Sequence, residues 1–233
     1  MMWLTSAPIA HRGYHDPKKA VFENTMPAFE AAIAAGFAIE CDVRLTRDGI
    51  PVIFHDDDLQ RLAGRGDTIE ALTAAETDAI AIGGADAKIP RLSALLAATD
   101  GKVPLVVELK RGAAPDPRFV PAVLDAIAGY DGPLALMSFN SDLLAELKAA
   151  GATVPVGLTA EGAENFDEHE AAMALGLDFV SYYYQHLPND FTTGLRDKGI
   201  PVITWTIRDA EAREISNRHG DQMTFEGFDP RSA

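Results

Sequence analysis

Short apolar runs punctuate this chain at regular intervals, and longer alanine-rich stretches with helical spacing fill the gaps. The strand candidates are 8–11 (PIAH), 38–43 (AIECDV), 103–109, 134–138, 154–159, 178–182, 201–206 and 222–227. Helix candidates lie at 25–35, 91–99, 117–128, 141–150, 162–175, 189–198 and 209–218, several closed by a glycine, as at 149–151 (AAG) and 198–199 (KG). Eight strands alternating with helices predict a parallel closed barrel, of the TIM (β/α)8 type. A doubly wound open sheet is the alternative, but no glycine-rich dinucleotide loop follows the first strand. The 233 residues and 47% hydrophobic content suit one compact domain.

One interval breaks the alternation. After the second strand, RDG followed by IPVIFH reads as a turn and an antiparallel return strand, because too few residues intervene for a parallel crossover. Residues 57–90 are then a polar, glycine-bearing excursion, expected to be an inserted segment or lid beside the site.

The formal charge of −15 argues against nucleic acid and anionic membrane surfaces as partners. An anionic substrate would therefore need local cations. No run approaches the ~20 apolar residues of a membrane span, and no signal-peptide pattern opens the chain, so a cytoplasmic protein without stable membrane insertion is expected. The single cysteine, Cys41, excludes an internal disulfide.

The catalytic mouth of such a barrel lies where the strands end. The strand ends carry His11 and Arg12, Glu40 and Asp42, His55 and Asp56, Glu108 and Lys110, then Trp205 and Glu226. Glu40 and Asp42 are two apart on one strand and share a side. Like charges beside a core need a positive partner. With Glu108 they make an oxygen-only set suited to Mg²⁺ or Ca²⁺, whereas zinc prefers His or Cys, and Cys41 alternates to the opposite face. Ion pairs to Arg12, Lys110 and Arg44 are the alternative partner; three acids at adjacent strand ends favour the metal. His11 and His55 are the candidate acid and base. Arg12 and Lys110 match a phosphate. Glu23 is placed to bind Arg12 or a substrate hydroxyl, Asn24 or Thr25 to cap the following helix, and Trp205 to wall a small alcohol pocket. His15, His169, His186 and His219 read as surface residues.

Taken in order, HRG, ENT, IECDVRLTRDGIPVIFHD, IPRL, VELK, SF at 138–139 and TWT make the chain similar, from Pro8 to Pro230, to the glycerophosphodiester phosphodiesterase family of PLC-like phosphodiesterases. The resemblance implies a TIM-type barrel and a divalent ion on Glu40, Asp42 and Glu108. It implies His11 and His55 as the acid–base pair, and Arg12 and Lys110 at the phosphate. It further implies release of sn-glycerol 3-phosphate and an alcohol, with the substrate's own 2-hydroxyl attacking phosphorus and water opening the resulting cyclic phosphate. Two positions depart from the family pattern: FENT replaces the usual PENT, and Glu226 stands near the usual Asp of the last strand. The rival readings are a lysophospholipase D or other phosphodiesterase on the same site, and a non-catalytic phosphate-ligand barrel. The second should have lost a histidine or a metal acid, and none is lost.

Overall fold

The computed structural model describes residues 2–84 and 86–232. Strands β1 (Ile9–Ala10), β2 (Ala38–Leu45), β4 (Leu105–Leu109), β5 (Leu134–Ser138), β6 (Val156–Ala160), β7 (Phe179–Tyr183), β8 (Val202–Ile207) and β9 (Gln222–Phe225) all run parallel. They pair in the order β1-β9-β8-β7-β6-β5-β4-β2, and β1 pairs again with β2, which closes the barrel. Strand β3 (Pro51–Ile53) is the antiparallel return, Val43 facing Ile53 and Leu45 facing Pro51. Its turn is tied by Thr46 N–H donating to Ile50 O at 3.0 Å.

Alternation along β2 explains how one strand serves two environments. Ile39, Cys41, Val43 and Leu45 join the apolar layer between strands and helices, while Ala38 belongs to a separate cluster inside the barrel. That inner cluster (Leu4, Ile9, Ala38, Val106, Ala135, Met137, Phe179 and Ile203) forms a dry floor. Each large side chain withdrawn there contributes about 1.5–3 kcal/mol. Gly157 makes the floor possible: a Cβ at its position would lie 2.4 Å from the Phe179 ring. Above the floor the inward positions of β2 and β4 switch to acids.

The surrounding helices are α1 (Met26–Ala35), α4 (Leu92–Thr99), α5 (Phe119–Ile127), α6 (Ser141–Ala149), α7 (Asp167–Met173), α8 (Asp190–Asp197) and α9 (Ala210–His219). The expected 162–175 helix begins five residues late, because Gly162 (φ 137°) and Asn165 (φ 62°) take conformations no helix accommodates. None of the described helices is long and apolar enough to cross a membrane.

Between β3 and α4 lie α2 (Gln60–Ala63), a short 3₁₀ turn (Ile69–Ala71) and α3 (Ala74–Asp78). Thr73 and Glu76 form a reciprocal capping box at the start of α3. This stretch packs an apolar cluster of its own, including Phe54, Leu59, Ile69, Ile80, Ile82 and Ile89. Within residues 79–84 the two large apolar side chains, Ile80 and Ile82, are buried, while the alanines and glycines around them are exposed.

Candidate active site

The HRG stretch is a left-handed turn at the end of β1. Arg12 has φ 55° and Gly13 φ 82°, and a Cβ on Gly13 would stand 2.9 Å from the backbone and Cβ of Ala28, so glycine is required. Strained backbone of this kind costs about 1–3 kcal/mol and persists where surroundings over-determine it. Here Arg12 N–H donates to Glu40 Oε2 at 2.9 Å, and Asn24 N–H donates to Arg12 O at 2.9 Å. Asn24, itself at φ 54°, sends its side-chain amide to Asp42 Oδ2 at 2.8 Å. Neither Asn24 nor Thr25 caps α1 with its side chain: Thr25 Oγ1 donates to Phe22 O instead, at 2.6 Å. ENT is therefore a brace for Asp42 and the Arg12 turn.

Asp42 and Glu108 are register neighbours on β2 and β4, and Glu40 lies two residues below Asp42. All three are buried, and one oxygen from each falls within 4.8 Å of the others. Arg12 Nε sits 3.3 Å from Asp42, and Lys110 Nζ sits 3.2 Å from Asp42 and 2.5 Å from Glu108 Oε1. Arg44 turns away, to Asp57, Glu70 and the His55 carbonyl, so it does not neutralise the acids. Two cations thus face three carboxylates. Burial and its acidic neighbours push Glu40 well above the usual carboxylate range, and burial pushes Glu108 up to about 7. Burial also opposes ionisation of Asp42, but Lys110 and Arg12 outweigh it and hold Asp42 low. Glu108 Oε1 is buried, and the Lys110 ammonium is its close cationic neighbour. Three buried carboxylates converging within 4.8 Å, an all-oxygen donor set with only two cations beside it, fit a hard divalent cation, and Glu40, Asp42 and Glu108 are able to hold one.

Each candidate histidine is fixed by a carboxylate at Nδ1. His11 Nδ1 is 2.5 Å from Glu226 Oε2, and His55 Nδ1 is 2.8 Å from Asp56 Oδ1. Burial lowers the pKa of both rings against the pull of those acids. In the neutral ring a carboxylate partner selects the Nδ1–H tautomer, leaving Nε2 as the free acceptor. Nε2 of His11 stands 3.9 Å from Glu40. Glu226 also accepts from Arg208 Nε at 2.6 Å, and it is held far below the usual range by His11, His15 and Arg208 despite burial.

Both histidines, Arg12, Lys110 and the three acids line one cavity of about 100 Å³, with Phe139 and Trp205 on its wall. Trp205 is locked by Nε1–H donating to Ser181 O at 3.1 Å, and it meets Phe139 edge-on at 5.5 Å. Tyr182, at the end of β7, stays outside this cavity: it packs in the apolar layer between strands and helices, donates to Gly162 O, and burial pushes its phenol up to about 12.

The sequence expectation fails for the remaining histidines. His15 is half-buried and lies 3.8 Å from Glu226, His169 packs against Phe166, Phe191 and Tyr182, and His186 Nδ1 accepts from Gly162 N–H at 2.8 Å. His219 is half-buried at the end of α9. Three further residues went unassigned. Glu226 stood at a strand end, which was a usable signal for a partner to His11. Phe139 follows a strand end directly. Arg61 sits inside a polar helix, where nothing in the sequence marks it, yet it reaches both Asp56 and Glu23. Glu23 accepts from Arg12 Nη1 at 2.5 Å, the first of its two expected roles.

Comparison with known proteins agrees with this architecture. The chain is 28% identical over 216 residues to a glycerophosphodiester phosphodiesterase of Caldanaerobacter subterraneus subsp. tengcongensis, covering 88% of this chain and 87% of that one. A phosphodiesterase of Oleispira antarctica, solved with the product sn-glycerol-3-phosphate, superposes with a TM-score of 0.84 at 25% identity, over 96% of this chain and 94% of its own. The glycerophosphodiester phosphodiesterase of Thermotoga maritima gives 0.77 at 27% identity, over 94% of each chain. The sequence model of the glycerophosphoryl diester phosphodiesterase family matches residues 11–226. With nearly the whole chain inside that match, and the barrel and its acidic mouth in place, the protein belongs to the glycerophosphoryl diester phosphodiesterase family.

Proposed function

We propose that this chain hydrolyses small glycerophosphodiesters to sn-glycerol 3-phosphate and an alcohol, with His11 and His55 moving the protons. The observation that carries this reading is the placement of two carboxylate-anchored imidazoles on one cavity with three buried acids and two cations. Family membership makes the chain a phosphoric diester hydrolase, and the Oleispira relative was solved with the same product bound. A divalent cation, Mg²⁺ or Ca²⁺, held by Glu40, Asp42 and Glu108 would supply charge neutralisation at the phosphodiester and acidify a bound hydroxyl.

The chain's own groups do the rest. Arg12 and Lys110 bring positive charge to the non-bridging oxygens, where negative charge grows as phosphorus is attacked. One histidine accepts the proton of the attacking glycerol 2-hydroxyl at Nε2, and the other donates a proton to the departing alcohol oxygen as its bond to phosphorus breaks. With the roles reversed, the pair opens the cyclic phosphate with water. Trp205, held rigid by Ser181, walls the space left for the alcohol. The large apolar side chains exposed among the described residues are Met2, Phe139 and Leu175, and of these only Phe139 borders the cavity. One ring is too little surface to seat an acyl chain, so water-soluble headgroup diesters are favoured over lysolipids.

The test is glycerol 3-phosphate release from glycerophosphocholine, glycerophosphoethanolamine, glycerophosphoglycerol and lysolipids, each with Mg²⁺ and with Ca²⁺. Release from the water-soluble diesters and its loss in excess chelator are expected. Undiminished turnover in chelator by metal-free protein would remove the cation from the reading, and preference for lysolipids would reassign the substrate.

A further inference from the structure

We propose that Arg61, on helix α2 of the inserted segment, is a positioning residue that sets the Arg12 guanidinium and the His55 ring in mutual register. The proposal rests on the site reading above. Arg61 makes four hydrogen bonds: Nε to Asp56 Oδ2 (2.7 Å), Nη2 to Asp56 Oδ1 (2.9 Å), Nη1 to Glu23 Oε2 (2.8 Å) and Nη2 to Glu23 Oε1 (2.7 Å). The two oxygens shared by Nη2 are the ones that matter. Asp56 Oδ1 is the partner of His55 Nδ1, and Glu23 Oε1 is the acceptor of Arg12 Nη1. One planar nitrogen therefore fixes the position of both relay oxygens, and the fork fixes the plane of both carboxylates. The chain Arg12–Glu23–Arg61–Asp56–His55 joins the phosphate side of the cavity to one of its proton carriers.

A simple tether for the inserted segment is a poorer account of Arg61. The segment is already docked by its apolar cluster. The buried Arg44 also ties the loop through Asp57, Glu70 and the His55 carbonyl. Arg61, by contrast, is about half exposed, so its ion pairs add little to stability by themselves. What they add is direction: without the guanidinium, Asp56 keeps only its single bond to His55 and Glu23 only its single bond to Arg12, so neither carboxylate plane is fixed, and two negative groups are left facing each other beside the site.

The experiment uses the full chain with saturating Mg²⁺ or Ca²⁺ and glycerophosphocholine. Arg61→Met is expected to lower kcat about 10- to 100-fold, move KM much less, and leave the thermal midpoint within about 3 °C. In a Glu23→Gln/Asp56→Asn background the same substitution should cost less than about twofold, because its targets are gone. Arg61→Lys, which keeps the charge and loses the fork, should fall between wild type and Met, and it replaces Met if that variant does not fold. A second readout needs no turnover: long-range ¹H–¹⁵N imidazole spectra should show His55 as one Nδ1–H tautomer in wild type and a mixture in Arg61→Met. Should wild type release no glycerol 3-phosphate from any diester, the functional reading fails and these spectra alone decide on Arg61. Retained kcat within threefold in an active enzyme, wild-type activity in Arg61→Lys, undiminished loss in the doubly substituted background, or an unchanged His55 tautomer would overturn the proposal.

Discussion

Glu226→Gln is the most informative single change at this site. The carboxylate meets His11 Nδ1 through one oxygen and Arg208 Nε through the other. Glutamine keeps the shape and loses the charge. Arg208 presents only donors, so the glutamine carbonyl turns to it and the amide NH₂ faces His11 Nδ1. That nitrogen must then be unprotonated, and the proton moves to Nε2, where it blocks acceptance from a substrate hydroxyl. The loss of a charge-assisted hydrogen bond is worth about 1.5–3 kcal/mol, which converts to about 10- to 150-fold in rate. The tautomer reversal places the expectation at the upper end, about 10²-fold in kcat, with KM little changed. Glycerol 3-phosphate release at saturating diester, read by a coupled dehydrogenase, measures it. Thermal melts alongside exclude unfolding. A folded Glu226→Gln protein within threefold of wild type would refute the argument that this acid sets the His11 proton.

His11→Ala and His55→Ala should each reduce kcat by ~10²-fold or more, the usual size of proton-transfer catalysis; near-normal turnover in either would demote that ring to scaffold. Metal at a hundredfold excess over its Kd should stabilise the chain by about 2.7 kcal/mol, raising the thermal midpoint by roughly 5–10 °C for a domain of this size, and Asp42→Asn should abolish that rise; an equal rise in the variant would place the ion elsewhere. In the metal-free chain, Glu40 and Glu108 hold protons that the unfolded chain releases. Their contribution is fully present below the unfolded value of about 4.3 and is lost as pH rises through about 7. Asp42, held low, acts in the opposite sense only below the ordinary aspartate range of about 3.9. The lowered His11 and His55 act in the opposite sense below their unfolded value of about 6.5, so melts in chelator should fall between about pH 6.5 and 8, and saturating metal should flatten the slope; a flat metal-free profile over that window would contradict the charge crowding.

Strand alternation in β2 and β4 made the three acids legible, because a carboxylate inside an otherwise apolar strand has few reasons to be there. The return strand was readable from the shortness of its turn. Less legible was anything decided by side-chain reach. Arg44 has the same inward spacing as Glu40 and Asp42, yet it escapes to Asp57 and Glu70, a choice fixed by the inserted segment rather than by β2. Asn24 looked like a helix cap because Asn usually is one; its left-handed backbone and its bond to Asp42 depend on a strand fourteen residues away in sequence, which no local rule reports. His15, His169 and His186 were misread for the same reason, since each meets residues distant along the chain.

The pairing of β1 with β9 has a further outcome. His11 leaves the first strand of the barrel and its carboxylate partner leaves the last, a separation of 215 positions bridged by one contact. The acids, Lys110 and the His55–Asp56 pair belong to the early half of the polypeptide, so of the two candidate proton carriers His11 is the one whose orientation waits for the last strand. Competence arrives only when the seam is sewn, and hydrolysis serves as a readout of finished folding.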